Sequence, residues 1–521
     1  MFNDCDVLII GGGLAGMSLA LQLTQRTADL SIIIAERATY PVPVAAHKVG
    51  ESTVEIGAHY FAKVLGLEEH LRQDHLCKFG LRFFFGGPNP PMDLAQYDEL
   101  GASDFLPVTS YQIDRGIFEN HLAQTARARG ITVLDGCTVH SADCVPGRHR
   151  VTLRDASGER SVKARWLVDA SGRKAFLKRQ LGLERTTAHK NCSVWLRTSA
   201  TLDVDRWGRG DDWHTRCGDR PRRLSTNHMM GPGYWVWVIP LSSGATSVGL
   251  VFDPDLVDVR AVNSYDHLLD WLHSNQPLTA AALEDGAGEI MDFHLLRGYP
   301  HDCQRVFSDE QWAMTGEAGV FTDPFYSPGS DFIAMSNTYV ARLIQNDLAA
   351  NGGVNGAGDA NYFNQAYRLF FSANLSLFTH QYPGFGDRDL MFAKTTWDYS
   401  YYWSVLAKLF FADKITDRQF LEQNQGTLLQ ALQLNVKVQR CFREAATRRR
   451  QLPAEGLFFD QIRIPRFGEL NSQLLDDDAD SAVRLADNVA QLETLAGGVQ
   501  ALAAASLDDR SLREAIGFPY G

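Results

Sequence analysis

The stretch VLIIGGGLAGMSLALQL at 7–23 constrains this chain more than any other. VLII at 7–10 reads as a buried parallel strand, GGGLAG as a tight turn, and MSLALQL as the start of an amphipathic helix. Gly11, Gly13 and Gly16 form GxGxxG, with Leu14 and Ala15 between the last two. The first glycine permits the turn, the second lets backbone approach a pyrophosphate at the helix N-terminus, and the third packs helix on strand. A second buried strand, SIIIAE at 31–36, ends on Glu36, followed by Arg37. A carboxylate at that distance can accept a ribose hydroxyl. The unit predicts a dinucleotide-binding α/β domain. It does not predict a membrane anchor: Asp4 and Asp6 precede the apolar run, and three consecutive glycines weaken a spanning helix.

Composition excludes other classes. The 521 residues are 45% hydrophobic and 21% charged, as in a folded protein with a large core. A net charge of -12 provides no basic footprint for nucleic acid and suits a cytoplasmic enzyme. The eight cysteines are scattered, with no CxxC and no Cys/His cluster at metal-binding spacing, so they read as free thiols and no metal site is expected.

Farther along, DASGR at 169–173 follows one strand and GEAG at 316–319 follows another. Strands dominate 190–252, where YWVWVIPL, SSGA and TSVGLVF make a hairpin signal. A helix is expected over about 329–349, a loop at 351–361, an aromatic-rich helical stretch at 375–412, and Leu/Ala/Gln/Asp-rich helices over 426–521. The expected fold class is α/β, a Rossmann-like FAD-binding domain with an inserted β-rich substrate layer and a C-terminal helical cap. Residues 1–350 form an interleaved FAD-binding module, with the β-rich layer mainly at about 80–110 and 190–300. Residues 351–521 form the helical substrate or cap region.

A strand ending in Gly-acid so late in the chain resembles the FAD-dependent monooxygenase fold, in which the acid, here Glu317, contacts the flavin. Arg115 in IDRGIFENHL resembles that fold's DR-x-x-F-[DE] segment. Three further strings sharpen the likeness: Trp235 to Pro240 reads WxWxIP, Phe321 to Gly329 reads FxxPxxSxG, and VGES at 49–52 is followed by KFGLRFFF at 78–85. Together with GxGxxG, these resemble the flavin-dependent halogenases over roughly residues 5–345.

The resemblance implies a chemistry. Reduced FAD, delivered by a separate flavin reductase, reacts with O2, and chloride or bromide becomes hypohalous acid. The oxidant travels an internal tunnel to a lysine, which holds it by hydrogen bond or as a haloamine beside an electron-rich aromatic substrate. Lys78 occupies the position of that catalytic lysine. Gly50, Glu51, Ser52, Lys48, Arg115 and Pro324 join the glycine turn, Glu36, Arg37 and Glu317 around the cofactor. Trp235, Trp237, Ile239 and Pro240 wall the tunnel, and Phe321, Ser327, Pro328 and Gly329 shape its other side and the halide pocket.

Two departures from the family pattern stand out. Pro328 follows Ser327 and has no N–H, leaving Gly329 and Ser330 as halide donors. Tyr326 stands where tryptophan halogenases carry a Glu just before that serine, which favours a phenol or pyrrole, free or tethered to an acyl or peptidyl carrier protein. The alternative activity on this fold is a monooxygenase or dehydrogenase without halogenation. WDYSYYWSV at 397–405 reads first as helix core and second as a stacking surface. RCFREAATRRR at 440–450 reads first as a solvated helix face and second as a carrier-protein dock.

Overall fold

A computed structural model of the chain describes residues 4–27, 29–44, 48–350, 358–448, 451–476 and 480–504. It divides into two compact units. The first comprises Met1–Asp74, Ile113–Thr187 and Pro300–Ser372; the second comprises His75–Gln112, Ala188–Tyr299 and Ala373–Gly521.

The first unit is built on a seven-stranded sheet. Thr132–Leu134, Ile32–Ala35, Asp4–Ile10 and Gly158–Asp169 run parallel in that order. The twelve-residue Gly158–Asp169 strand serves two partners on its far edge. Its first half pairs antiparallel with His149–Asp155, and its last three residues pair parallel with Trp312–Met314, the strand supplied late in the chain. The carboxyl ends of the parallel strands, at Ile10, Ala35, Asp169 and Met314, therefore lie on one side of the sheet, where an open α/β sheet binds its ligand. Helix Gly329–Ala349 locks to helix Leu14–Arg26 through Asn337, whose amide donates to the Ala15 carbonyl (3.1 Å), Ser18 Oγ (3.0 Å) and the Tyr60 hydroxyl (3.0 Å).

The second unit is an eight-stranded sheet whose two faces differ because side chains alternate along each strand. Phe84, Met229, Val236, Val238, Val248 and Leu250 point into a hydrophobic core completed by the helices Tyr265–Asn275 and Pro277–Asp285. These helices fall inside the stretch expected to be β-rich. Their signals are local: the Ser264 hydroxyl caps the first by accepting from the His267 amide, and Pro277 opens the second. Helix Asp359–Ser376 begins within the stretch expected as a loop, of which 351–357 lie outside the described residues. In the expected helical C-terminal region, Phe458–Asp460 instead forms a strand parallel to Asp98–Gly101. A three-residue strand carries too little periodicity to be read from sequence, and its pairing partner is more than 350 residues away.

Glu99 is the charged centre of this unit. It is fully buried and receives the guanidiniums of Arg82 and Arg222, the latter at 2.8 Å, with Arg216 at 3.7 Å. Burial alone would raise its pKa, but Arg82 and Arg222 outweigh that and hold it below the usual carboxylate range. Among the described residues, no helix is long and apolar enough to cross a membrane.

Removing one partner of such a cluster strands like charges in the core. Glu99→Gln should destabilise the protein by about 3–5 kcal/mol at neutral pH in denaturant unfolding. Because its folded pKa is depressed, the contribution of Glu99 is present above its unfolded value of about 4.3. It is lost as pH falls through the folded value, so the gap between variant and parent should close in acid.

Candidate active site

At the glycine turn, the space around each glycine explains the residue. Gly11 has a φ of +105°, and a Cβ there would lie 2.5 Å from the Ala170 carbonyl oxygen. A Cβ on Gly16 would lie 2.0 Å from the Gly11 oxygen, so helix and turn meet only without side chains. The helix beginning at Leu14 has Gly13 as its N-cap and no side-chain cap, which leaves its first amides for an anion. Glu36 is buried at the end of its strand. Its carboxylate accepts from the Gly12 amide (2.6 Å) and the Ala38 amide (2.7 Å), which fixes its orientation and leaves lone pairs for a ribose hydroxyl. Arg37, next in sequence, is exposed.

The other predicted cofactor residues of this unit gather around the same turn. Arg115 opens helix Arg115–Ala128, donates to the Val49 carbonyl (2.9 Å) and pairs with Glu119 (2.5 Å). Glu119 also takes the ammonium of Lys48 at 2.8 Å, and that ammonium lies 3.1 Å from where a Cβ of Gly13 would be. Gly50 donates to the Glu51 carboxylate (2.9 Å), and the Glu51 carbonyl accepts from Ile113 (2.5 Å), so the VGES segment, including buried Ser52, is pinned beside the helix bearing Arg115. Glu317 lies in the turn Gly316–Ala318, its carbonyl accepting from His301 Nε2 (3.0 Å). A Cβ on Gly316 would meet that of Ala15 at 3.1 Å, so the late acid turn abuts the first helix.

FxxPxxSxG leads directly into helix Gly329–Ala349. Phe321 exchanges backbone hydrogen bonds with His301 at 3.0 Å. Ser327 adopts a left-handed φ of 58° and donates its amide to the Pro324 carbonyl (2.9 Å). Pro328 is the N-cap and no side chain caps the helix, so the amides of its first turn, beginning with Gly329, have no intrahelical partner. The Ser330 hydroxyl is buried there without a hydrogen-bond partner among the described residues. Helix Glu55–His59 seats on this N-terminus through Gly57, whose amide donates to Asp331 (2.8 Å) and whose absent Cβ would strike Ser330 Oγ at 2.2 Å.

Lys78 and WxWxIP belong to the other unit, Lys78 in a separate two-stranded sheet and WxWxIP in the eight-stranded one. Lys78 ends the short strand Leu76–Lys78, paired antiparallel with Ser110–Gln112, and is only 3% exposed, not the surface lysine that commonly flanks a strand. Phe79 and Gly80 turn the chain into strand Leu81–Phe85 and bond to Leu224 (3.0 Å) and Thr226 (3.1 Å). Thr226–Gly231 runs parallel to Leu81–Phe85, and Tyr234–Pro240 follows it.

Opposite the hydrophobic core, these three strands present Phe83, His228, Trp235, Trp237 and Ile239. His228 stacks on Phe83 at 4.8 Å between centroids and lies 5.2 Å from Trp235. Trp235 donates its indole N–H to the Tyr382 hydroxyl (2.9 Å), and Trp237 to Ser247 Oγ (3.0 Å). Gly249 lies opposite Trp237, where a Cβ would penetrate the ring at 2.2 Å. Pro240 is buried at the strand end.

The comparisons with known proteins agree with this fold. The FAD binding domain family matches residues 4–253. The flavin-dependent halogenase chlA of Dictyostelium discoideum is 28% identical over 441 residues, covering 78% of this chain and 70% of that protein. The chain is similar in sequence and fold to flavin-dependent halogenases. A 1H-pyrrole-2-carbonyl peptidyl-carrier-protein chlorinase of Pseudomonas fluorescens is 25% identical over 355 residues, 65% of this chain and 75% of its own. The crystal structure of halogenase PltM shares the fold with a TM-score of 0.66 at 16% identity, covering 99% of both chains. FAD is the cofactor that this fold and domain hold.

The structure brings in several residues that the sequence motifs did not mark. Glu119, four residues after Arg115, bridges two predicted cofactor cations, and its helical spacing was the available signal. Tyr40 closes the turn by donating to the Gly12 carbonyl (2.5 Å), and burial pushes its phenol pKa well up. His228 and Tyr382 join the tryptophan face by strand register and tertiary packing. The aromatic run at 397–405 is mostly core: Trp397 and Trp403 are buried, and Trp397 bonds Asn435 at 3.0 Å. In the basic run, Arg440 and Arg448 are exposed on and just past a helix whose Phe442 is buried, while 449–450 lie outside the described residues. No cluster of three or more metal-binding side chains occurs among the described residues.

The steric reading of the turn predicts that Gly16→Val will keep the sheet but weaken FAD retention at least about tenfold, measured by flavin fluorescence titration. Glu36→Ala should cost a similar factor by freeing the turn amides it now holds.

Proposed function

We propose that this protein halogenates an electron-rich aromatic of phenol or pyrrole type, with Lys78 as the catalytic group. The observation that carries the reading is the burial of Lys78 beside the sheet that bears the tryptophan face. Burying an ammonium is costly, so it is kept where it binds something.

Bound FAD, reduced by a separate flavin reductase, supplies the two-electron activation of O2 that turns chloride or bromide into hypohalous acid. The residues of this chain supply containment and polarisation. The amides of Gly329 and Ser330 at an uncapped helix N-terminus hold the halide, and Pro328, lacking an N–H, sets their direction without donating. Glu36, Arg115, Glu317, Gly50 to Ser52 and Pro324 position the cofactor, with Lys48 held by Glu119. Trp235, Trp237, Ile239 and Pro240 of the second unit, and Phe321 and Ser327 of the first, are assigned to excluding water that would consume the oxidant. The Lys78 ammonium donates to the hypohalous oxygen and makes the halogen electrophilic toward a ring carbon.

Tyr326 replaces the carboxylate of tryptophan halogenases, which fits a ring already activated by its own hydroxyl or nitrogen. The relationship to a chlorinase of a carrier-bound pyrrole supports a substrate that is either free or presented on a carrier protein. Residues 351–521 are assigned to shaping the substrate side, and the acidic chain to the cytoplasm.

With reduced FAD, O2 and bromide or chloride, monochlorodimedone and a phenol panel should yield halogenated products by mass spectrometry. Oxygenated product alone would move the assignment to a monooxygenase. Lys78→Ala should lower halogenation by about 10²-fold or more while FAD binding and O2-dependent flavin oxidation persist. Retained halogenation would reject Lys78.

A further inference from the structure

The strands Leu76–Lys78 and Ser110–Gln112 pair antiparallel, with Lys78 opposite Ser110 and Leu76 opposite Gln112. Residues directly opposite project to the same face, and side chains alternate along each strand. Lys78, Ser110 and Gln112 therefore share one face, and all three are buried. Cys77, on the other face, is exposed. Gln112 is the diagonal neighbour of Lys78 on that face, a separation of about 7–8 Å that long side chains bridge.

The Gln112 side chain also reaches the tryptophan-bearing sheet. Its Nε2 donates to Thr226 Oγ1 (2.9 Å), at the start of strand Thr226–Gly231. Thr226 alternates with His228, which lies opposite Trp237, so Thr226 is on the aromatic face. Gln112 is 0% exposed, and its Oε1 has no hydrogen-bond partner among the described residues. A buried carbonyl left without a donor is costly, so such an atom calls for something that reaches it. One end of this amide is clamped, and the other is an acceptor held between the lysine face and the aromatic face.

We propose that Gln112 orients the substrate: its Oε1 accepts the hydrogen bond of a phenol O–H or a pyrrole N–H. This rests on the reading of Lys78 as the catalytic group and adds the group that recognises the ring. A ring bearing O–H or N–H needs an acceptor when it leaves water. The Lys78 ammonium and the indoles of Trp235 and Trp237 only donate, and the two indoles already serve Tyr382 and Ser247. Gln112 supplies the missing acceptor. With the donor edge of the ring fixed there, the carbon that meets the lysine is fixed as well.

Ligand-observed NMR titration of the FAD-loaded full chain tests the proposal with two pairs of similar size, phenol against fluorobenzene and pyrrole against furan. The second member of each pair lacks the donor. Gln112→Met keeps the side-chain length and removes the acceptor. Gln112→Asn withdraws the acceptor by one methylene and carries the test if the first variant does not fold. In each, the preference for the donor-bearing ring should fall at least about tenfold, whereas Gln112→Glu, with an acceptor at the same reach, should keep it. A fall in one pair alone supports the proposal and tells a phenol from a pyrrole. Unchanged preference in both pairs, equal weakening of both members of a pair, the same loss in Gln112→Glu, or no binding of phenol and pyrrole to the parent would each overturn it. Because the readout is binding, a failure of halogenation would leave this result standing and count against the proposed reaction alone.

Discussion

The contact on which the first unit depends is the bare backbone approach of Gly16 to Gly11. A methyl group at Gly16 would sit 2.0 Å from the Gly11 oxygen, far inside van der Waals contact. Only because no side chain intervenes can the helix start immediately after the strand and leave its first amides facing the carboxyl ends of the parallel strands. The rest of the cradle is organised around that turn. Glu36 bonds its amide, Tyr40 its carbonyl, and Gly316 packs against Ala15. The same device recurs at helix Gly329–Ala349, where Gly57 admits Ser330 and Pro328 leaves the first turn uncapped. Two uncapped helix N-termini within one unit give two places where negative charge is stabilised without a formal cation.

The second unit solves a different problem. A sheet with one apolar face buried by helices leaves its other face to be filled, and here that face carries Phe83, His228, Trp235 and Trp237. Their rings are locked by specific bonds, Trp235 to Tyr382 and Trp237 to Ser247, and by the missing side chain of Gly249. Rigid aromatic walls of this kind suit a reaction in which water must be kept from a strong oxidant. The buried Glu99 with its arginines ties Asp98–Gly101 to Leu81–Phe85, the strand that follows Lys78 after two residues. The charge cluster thus braces the strand that follows the lysine in the chain.

Much of this was legible in sequence because its signals are local. The strand, glycine turn and helix at 4–26, the hairpin 234–252 and the helix 329–349 each announce themselves by period, turn residues and length. What was missed depends on distance along the chain. Helices 265–275 and 277–285 were overshadowed by their strand-rich surroundings, although Ser264 and Pro277 mark their starts. Strand Phe458–Asp460 exists only because Asp98–Gly101 offers it an edge.

By itself the sequence determined the dinucleotide-binding turn, the acid that closes it, the late acid turn and the family likeness, because each rests on residue types at fixed short spacing. Only the tertiary structure decided that Lys78 is buried, that Glu119 holds Lys48 and Arg115 together, and that His228 and Tyr382 join the tryptophans. Those facts come from strand register and from packing between segments far apart in the chain, and a one-residue shift in register would send the same side chains to the opposite face of the sheet.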